Sequence, residues 1–353
     1  MNLTWLIRLT VALSMALSIG ASAFASETAA QGPGKKYRIA MILYRGETDA
    51  ERGFKKYLQS RQLNVEYIVR DASEDPKRFP EIVREIKALR PDLIYTFGTG
   101  ATLAVCGKTD QQNDARFISD TPVIFNIVAD PIGSGITKSM QSTERNVTGV
   151  THLVPIDSQL SALKATANIK TIGVIYSLNE KNAVLSADSL VEGANNAGYR
   201  VIRYPVSADN SAGDLASLKS VIAKIQAEKP DLLYLPSDSF LIRHAGLISE
   251  GMQHARIPSM SATEAPIRKD GFTMGLVSPY VNAGALAGHK AYQILVEGKD
   301  PSDIPVSALD KFAYILNMKS ALKIGFYPKI RALTFAEIIN ADTHKPAKSG
   351  MTK

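Results

Sequence analysis

The sequence predicts an α/β protein built of two similar lobes, each a doubly wound parallel sheet with helices on both faces. Short apolar runs typical of buried strands alternate with amphipathic helical stretches along most of the chain. The segment PDLIY at 91–95 returns 139 residues later as PDLLY at 230–234, so one structural plan occurs twice. The length of 353 residues agrees with two domains rather than one.

The first 25 residues predict a cleaved secretory signal peptide. They carry one charged side chain, Arg8, then an apolar run from Leu9 to Ile19, then small residues that end at Ala25. The apolar run is short for a membrane-spanning helix, which needs about 20 residues. Because no cysteine lies near the cleavage site, we expect a periplasmic protein without a lipid anchor.

The region 36–150 predicts the first lobe. Its apolar, strand-forming runs and one amphipathic helix follow in order: strands at 37–44, 64–69, 93–95 and 122–126, and a helix at 82–89 that ends before Pro91. A proline stops a helix, and here a buried run follows each stop at once.

The region 151–290 repeats this order and predicts the second lobe. The corresponding runs are strands at 171–176, 199–206, 232–234 and 257–261, with a helix at 215–225. We expect 291–330 to be a crossover segment that returns toward the first lobe. The lysine-containing end, 341–353, predicts a flexible tail.

We expect one ligand site, in a cleft between the lobes, because ligands bind beyond the carboxyl ends of parallel strands. After the third strand, Thr99, Gly100 and Ala101 predict a helix N-terminus whose backbone N–H groups can bind an anion. The 139-residue offset places Asp238 and Ser239 at the matching point of the second lobe. One lobe then offers donors and the other a carboxylate, which suits a zwitterion such as an amino acid. A plain tight turn at Thr99 and a helix N-cap at Asp238 are the structural alternatives.

Five further residues are predicted at the same edge of the two sheets. Tyr44 and Tyr176 occupy matching places at the ends of the first strands, where a ring could stack on a ligand or pack in the core. Asn126 and Asp130 follow the fourth strand of the first lobe, and Glu264 follows its counterpart in the second. Turn formation is the alternative for these three polar residues.

No catalytic, metal or cofactor site is predicted. The chain has neither a Gly-x-Ser-x-Gly elbow nor a His-Glu-x-x-His helix. The single cysteine, Cys106, excludes an internal disulfide and a thiolate zinc cluster. The net charge of +7 includes no long run of Lys or Arg of the kind that binds nucleic acid. A hydrolase or transferase using Asp130, Asp238 and Glu264 is the enzymatic alternative, although acidic residues without histidine or metal-ligand spacing are not a specific catalytic signal.

Several short motifs occur in a fixed order along the chain: DPIGSG at 130–135, NVTGV at 146–150, ILVEG at 294–298, PSDIPV at 301–306, and Asn317 followed by ALKIG at 321–325. These motifs resemble the exported substrate-binding proteins of ABC transporters, in the family that includes tryptophan and tyrosine uptake components. The resemblance implies a fold like the type I periplasmic binding proteins, with one ligand between the lobes and with Thr99, Asp130 and Asp238 in the cleft.

The resemblance also implies a function. We expect a monomer that binds a small polar or amino-acid-like solute by hinge closure. It would deliver this solute to an ABC permease in the inner membrane, without cofactor, metal or nucleic acid. An extracytoplasmic ligand sensor that docks on a membrane signalling protein is the alternative.

Overall fold

The computed structural model describes residues 35–111, 114–207 and 214–341. One compact unit spans Lys36–Lys353 and contains every helix and strand named below. The predicted signal peptide lies outside the described residues, as does the predicted tail apart from Ala341. In the described part of the chain, no helix is long and apolar enough to span a membrane.

Parallel strands form the first sheet. Five of them come from the N-terminal part of the chain: β1 (Tyr37–Leu43), β2 (Val65–Asp71), β3 (Leu93–Phe97), β4 (Val123–Val128) and β5 (Val147–Thr151). Their order across the sheet is β5-β4-β3-β1-β2, and a two-residue strand from much later in the chain, Ser307–Ala308, pairs with β5. The order turns back between β1 and β3, which makes the sheet doubly wound.

Helices cover both faces of this sheet. Three come from the N-terminal part of the chain: α1 (Asp49–Ser60), α2 (Phe79–Leu89), preceded by the 3-10 turn Pro76–Arg78, and α3 (Gly98–Cys106). Ile39 and Met41 of β1 pack with α1, whereas Ala40 and Ile42 pack with α2 and α3. A strand buried on both faces needs a continuous apolar run, and this is why β1 could be found in the sequence.

The second sheet repeats the plan with extra strands at one edge. Its members are β6 (Thr171–Ser177), β7 (Arg200–Val206), β8 (Leu232–Leu235), β9 (Ser259–Ser261), β10 (Met274–Val277), β12 (Ala313–Asn317) and β13 (Glu337–Ile339); β11 is the Ser307–Ala308 strand of the first sheet. The order is β13-β12-β10-β9-β8-β6-β7. Only the β10–β12 pair is antiparallel among these described strands.

The remaining helices follow in chain order. They are α4 (Ile156–Thr166), α5 (Lys181–Asn196), α6 (Asp214–Glu228), α7 (Ser239–Arg243), α8 (Ala245–Ala255), α9 (Glu264–Arg268), α10 (Tyr280–Leu295), α11 (Met318–Lys323) and α12 (Ile330–Leu333), with a second 3-10 turn at Pro301–Asp303. Helix α4 directly precedes β6, and all the others except α10 and the 3-10 turn lie in the chain between strands of the second sheet.

The two PDL segments make the same contact in the two lobes. The carboxylate of Asp92 accepts a hydrogen bond from the backbone N–H of Arg38 at 2.8 Å. The carboxylate of Asp231 accepts one from the N–H of Thr171 at 2.9 Å. Each aspartate therefore ties the start of the third strand of its lobe to the first, and the repeat seen in the sequence is a structural repeat.

Helix α10 comes late in the chain but packs on the first sheet, against α1 and β4. Gly53 and Gly284 lie where α1 and α10 cross, and a Cβ on Gly284 would overlap the carbonyl oxygen of Ala50. The glycines let the two helix backbones approach closely. This placement differs from the boundary drawn at residue 290, which cuts through α10.

The chain passes between the lobes three times, at 152–155, 278–279 and 309–312. The second passage leads into α10 and β11 of the first lobe, and the third returns to β12 of the second. The crossover segment expected at 291–330 therefore ends in the second sheet. These three connecting segments form the hinge between the lobes.

Candidate functional site

A cavity of about 380 Å³ lies between the carboxyl ends of the two sheets. Its volume falls within the range of about 300 to 1,000 Å³ usual for small-molecule sites. Residues that follow β1, β3 and β4 line it from the first lobe, and residues that follow β6 and β8 line it from the second. The cavity is therefore where two facing parallel sheets are expected to hold a ligand.

Aromatic rings form much of the wall. They are Tyr44, Phe79, Phe97, Phe240 and Tyr280. Tyr44 stacks on Phe79 with ring centroids 6.3 Å apart, and Phe97 meets Tyr280 edge-on at the same distance. Rings come from both lobes, so a flat apolar group between them would be enclosed from two sides.

Arg45 brings a positive charge to the first-lobe wall. Its guanidinium lies 5.6 Å from the centre of the Phe97 ring, in a cation–π arrangement. Within the part of the chain that the structure describes, Arg45 forms no ion pair with a carboxylate. A planar cation held in this way can bind a ligand carboxylate through two parallel hydrogen bonds.

The start of α3 adds backbone donors on the same wall. Gly98, Thr99 and Gly100 line the cavity, and the N-cap residue Phe97 supplies no side-chain acceptor to the first turn. The unpaired N–H groups and the helix dipole favour an anion there. Gly98 has a φ of +81°, a conformation that a residue with a Cβ adopts at a cost.

Glu180 is the acidic residue of the second-lobe wall. Its two carboxylate oxygens accept the backbone N–H groups of Ser239 and Phe240, both at 3.0 Å, at the start of α7. Each oxygen keeps a further lone pair, so Glu180 can still accept a hydrogen bond from a ligand in the cavity. Asn182 lies beside it and donates to the carbonyl of Ser237 at 2.9 Å.

Asp238 lies directly behind this wall and is fully buried. Its carboxylate accepts the N–H groups of Ser177 at 2.7 Å and Leu241 at 2.8 Å, and the Ser177 hydroxyl at 3.0 Å. Burial, with the negative charge of Glu180 as a second cause, raises the pKa of Asp238 to about 7. Its carboxylate oxygens thus accept hydrogen bonds from groups of their own lobe. Asp238 is the N-cap of α7, which is the structural alternative that the sequence left open.

Four of the ten predicted site residues line the cavity. They are Tyr44, Thr99, Gly100 and Ser239.

The other six lie outside the lining. Ala101 and Tyr176 are buried in the cores of their lobes. Asn126 is buried and donates to the Tyr95 hydroxyl, Asp238 caps α7, Asp130 accepts the N–H of Gly133 in a turn, and Glu264 pairs with Arg268 at 2.5 Å. A ligand role for these six residues stays a prediction.

Sequence reasoning did not select Arg45, Glu180, Asn182 or Phe240. Arg45 and Glu180 stand in connecting segments, and Asn182 and Phe240 stand in the first turns of α5 and α7. None has a counterpart at the 139-residue offset. Only their position in the chain could have indicated them, because each lies within a few residues of a strand end or a helix start at the edge of the cavity.

Two contacts join the lobes across the cleft. The Arg243 Nε lies 2.5 Å from the Glu74 carboxylate of the opposite lobe. Within the first lobe, the Tyr44 hydroxyl donates to the Glu74 carbonyl at 3.1 Å. At the first interlobe passage, the Nε2 of His152 lies 3.0 Å from the Ser237 hydroxyl. Burial lowers the pKa of His152 to about 4. The lobes are thus closed on one another.

Comparison with known proteins decides the family. The model of the family described as "ABC transporter substrate binding protein" matches residues 40–336. The chain belongs to this family. The resemblance seen in the sequence motifs is therefore confirmed. Proteins of this family bind small molecules outside the cytoplasm and work with an ABC permease; they are substrate-binding proteins rather than enzymes.

A relative described as "Tyrosine-binding protein", from Clostridioides difficile, is 28% identical over 304 residues, or 85% of this chain and 83% of the relative. A solved structure of an ABC domain with L-Trp from Streptococcus pneumoniae has a TM-score of 0.75 at 22% identity. A ligand-free, open substrate-binding protein from Clostridium difficile has a TM-score of 0.64 at 24% identity. Both likenesses cover 86% of this chain and 99% of the other, and they confirm the predicted fold class.

Proposed function

We propose that this chain binds a free amino acid with an aromatic side chain and presents it to the permease of an ABC uptake system. The observation that carries the proposal is the cavity wall, which combines aromatic rings from both lobes with Arg45 on the first-lobe side and the Glu180 carboxylate on the second-lobe side. Lys181 and Arg243, which is paired with Glu74, also line the second-lobe side. A zwitterion with a flat apolar side chain matches all three features.

Each part of such a ligand has a partner. Arg45 and the N–H groups at the start of α3 would hold the α-carboxylate. Glu180, with the neighbouring Asn182, would accept the ammonium group. Phe97, Phe240 and the other rings would enclose the side chain.

The relatives support this ligand class by their descriptions, one as a tyrosine-binding protein and one solved with L-Trp. The signal-peptide pattern supports export to the periplasm, and the absence of a cysteine near the cleavage site supports a protein without a lipid anchor. Because three connecting segments join the lobes, hinge closure is the motion expected on binding.

Isothermal titration calorimetry of residues 36–353 with each standard L-amino acid tests the proposal. We expect tight binding of one or more of L-tyrosine, L-tryptophan and L-phenylalanine, with no turnover of the ligand. Arg45→Gln should weaken this binding by about tenfold or more, since a hydrogen bond to a charged group contributes about 1.5 to 3 kcal/mol. The matched control is Arg52→Gln on α1, an exposed arginine of the same lobe.

Small-angle scattering with the bound amino acid gives a second readout, because a ligand that contacts both lobes favours the closed arrangement. Failure of every aromatic amino acid to bind, or equal affinity for glycine, would show that the aromatic wall does not select the ligand.

A further inference from the structure

Exposed apolar side chains are concentrated in one segment near the C-terminal end of the described chain. Eleven large apolar side chains are exposed among the described residues, and six of them lie within residues 322–338. These six are Leu322, Tyr327, Ile330, Leu333, Phe335 and Ile338, and together they are called the C-terminal patch below. Tyr327 and Ile330 are 76% and 82% exposed, so neither side chain has a place in the core. Such a concentration marks an interaction surface, whereas single exposed apolar residues are ordinary.

The C-terminal patch lies away from the ligand cavity. It runs through α11, α12 and the edge strand β13 of the second sheet. Tyr327 and Lys329 border a groove together with Ile169 and Asp231, which precede β6 and β8. The groove is therefore at the amino ends of the strands, and the cavity is at their carboxyl ends.

The same part of the chain carries most of the net charge. Residues 318–353 contain seven Lys and Arg but only two Asp and Glu, a net charge of +5 against +7 for the whole sequence. In the described part, Lys319, Lys323, Lys329 and Arg331 are exposed and lie within a few residues of the apolar side chains along the chain. An apolar surface with a basic rim is complementary to a surface that is apolar inside and anionic outside.

We propose that the C-terminal patch binds the surface of an anionic phospholipid bilayer. Tyrosine, phenylalanine and aliphatic side chains enter the headgroup region of a bilayer, and Lys and Arg are attracted to its anionic headgroups. The patch would thus keep the protein close to the membrane in which its permease lies. This matters because the protein is expected to lack a lipid anchor. The proposal is independent of the ligand.

Two other occupants fit the charges less well. A second copy of the chain, related by a twofold axis, would bring basic rim against basic rim. Residues 342–353 contain three lysines and Met351 as their one large apolar residue, so they add positive charge and bring little to cover the patch.

Co-sedimentation of residues 36–353 with protein-free vesicles tests the proposal. Vesicles of phosphatidylcholine and phosphatidylglycerol in equal parts should bind the protein, and vesicles of phosphatidylcholine alone should bind it far less. Binding should fall steeply in about 1 M salt, where the screening length is only about 3 Å. Because the vesicles contain no protein, a permease cannot produce this signal.

Two double variants separate the apolar and basic contributions. Tyr327→Ser with Ile330→Ser should lower the partition coefficient by about tenfold or more, through the lost apolar contact. Lys319→Glu with Arg331→Glu should lower it by about 20-fold or more, since each basic residue near an anionic surface contributes about fivefold. These four side chains are exposed, so the variants are expected to fold as the parent does.

Matched controls replace exposed residues elsewhere: Leu215→Ser with Val296→Ser, and Lys56→Glu with Arg84→Glu. Equal losses in the controls would show a general charge effect and overturn the proposal. Absence of vesicle binding, with a dimer in size-exclusion chromatography that Tyr327→Ser with Ile330→Ser dissociates, would assign the patch to self-association instead.

Discussion

His152 couples the interlobe hinge to pH. The imidazole is buried beside Ser237 and meets the Tyr280 ring edge-on at 5.9 Å, and burial lowers its pKa to about 4 from an ordinary value of 6.5. Between about pH 6.5 and 4 the unfolded chain therefore binds a proton that the folded protein does not. The free energy of unfolding falls as pH is lowered through this window, at up to about 1.4 kcal/mol per pH unit.

His152→Gln should remove this loss while keeping a group that can bond to Ser237. Urea unfolding at a series of pH values measures it: relative to the parent, the variant should gain stability as pH falls from 6.5 to 4, with a constant difference above pH 7. The control is His254→Gln, an exposed histidine on α8. Parallel curves for parent and His152→Gln would mean that the imidazole takes up its proton equally well in the folded protein.

For Asp238, the position in the fold could be predicted from the sequence, but the binding partner could not. Its place after the third strand of the second lobe follows from the repeat, so its position in the sheet could be predicted. Whether its carboxylate binds a ligand or groups of its own lobe could not be predicted. This depends on the N–H groups of Ser177 and Leu241, which approach Asp238 only in the folded lobe. Arg45 and Glu180 have no counterpart in the sequence repeat, so the repeat could not indicate them. Their importance follows from their position on the cavity wall in the folded protein.

At the scale of single elements, the α1–α10 contact depends on glycine. Alanine is the better helix former by about 1 kcal/mol, so Gly→Ala inside a helix is stabilising when space allows. Gly284→Ala should instead destabilise the protein by several kcal/mol, because the added Cβ overlaps the Ala50 carbonyl oxygen and the helices must separate. Thermal or urea unfolding measures this loss.

The matched control is Gly246→Ala in α8, where the nearest atom to an added Cβ is an Asp270 oxygen at 4.0 Å. This change should leave stability equal or raise it by up to about 1 kcal/mol. A Gly284→Ala protein as stable as the parent would show that the helix contact tolerates a wider spacing.

Elements with a local sequence pattern could be predicted, whereas the long-range α1–α10 contact could not. β1 and β6 are apolar runs buried on both faces, and their bounds differ from the predicted strands by one residue. The lobe to which α10 belongs could not be predicted, because its pairing with α1 depends on backbone proximity at Gly53 and Gly284, more than 200 residues apart in the chain.

For the whole molecule, the Glu74–Arg243 pair stabilises the closed arrangement, since it joins opposite lobes. Both side chains are about one-third exposed, so the pair contributes at most about 1 kcal/mol. Glu74→Gln should therefore weaken ligand binding by up to about fivefold and increase the radius of gyration of the ligand-free protein. Calorimetry and small-angle scattering measure the two effects.

Glu85→Gln is the matched control, because Glu85 pairs with Arg70 inside the first lobe at similar exposure. It should change neither quantity. If Glu74→Gln behaves like this control, closure depends on the ligand and the hinge alone.

The three passages between the lobes also have a consequence for biosynthesis. Helix α10 and strand β11 of the first sheet are made only after most of the second lobe, more than 120 residues beyond β5. A nascent chain that ends before residue 280 lacks the helix that covers part of the β4 and β5 face, and its first lobe has no complete core. Folding during synthesis, which usually proceeds one N-terminal domain at a time, is therefore delayed until nearly the whole chain is available. Such a delay leaves a newly made polypeptide without its native fold, and a chain in this state can be threaded through a membrane channel before it folds on the far side.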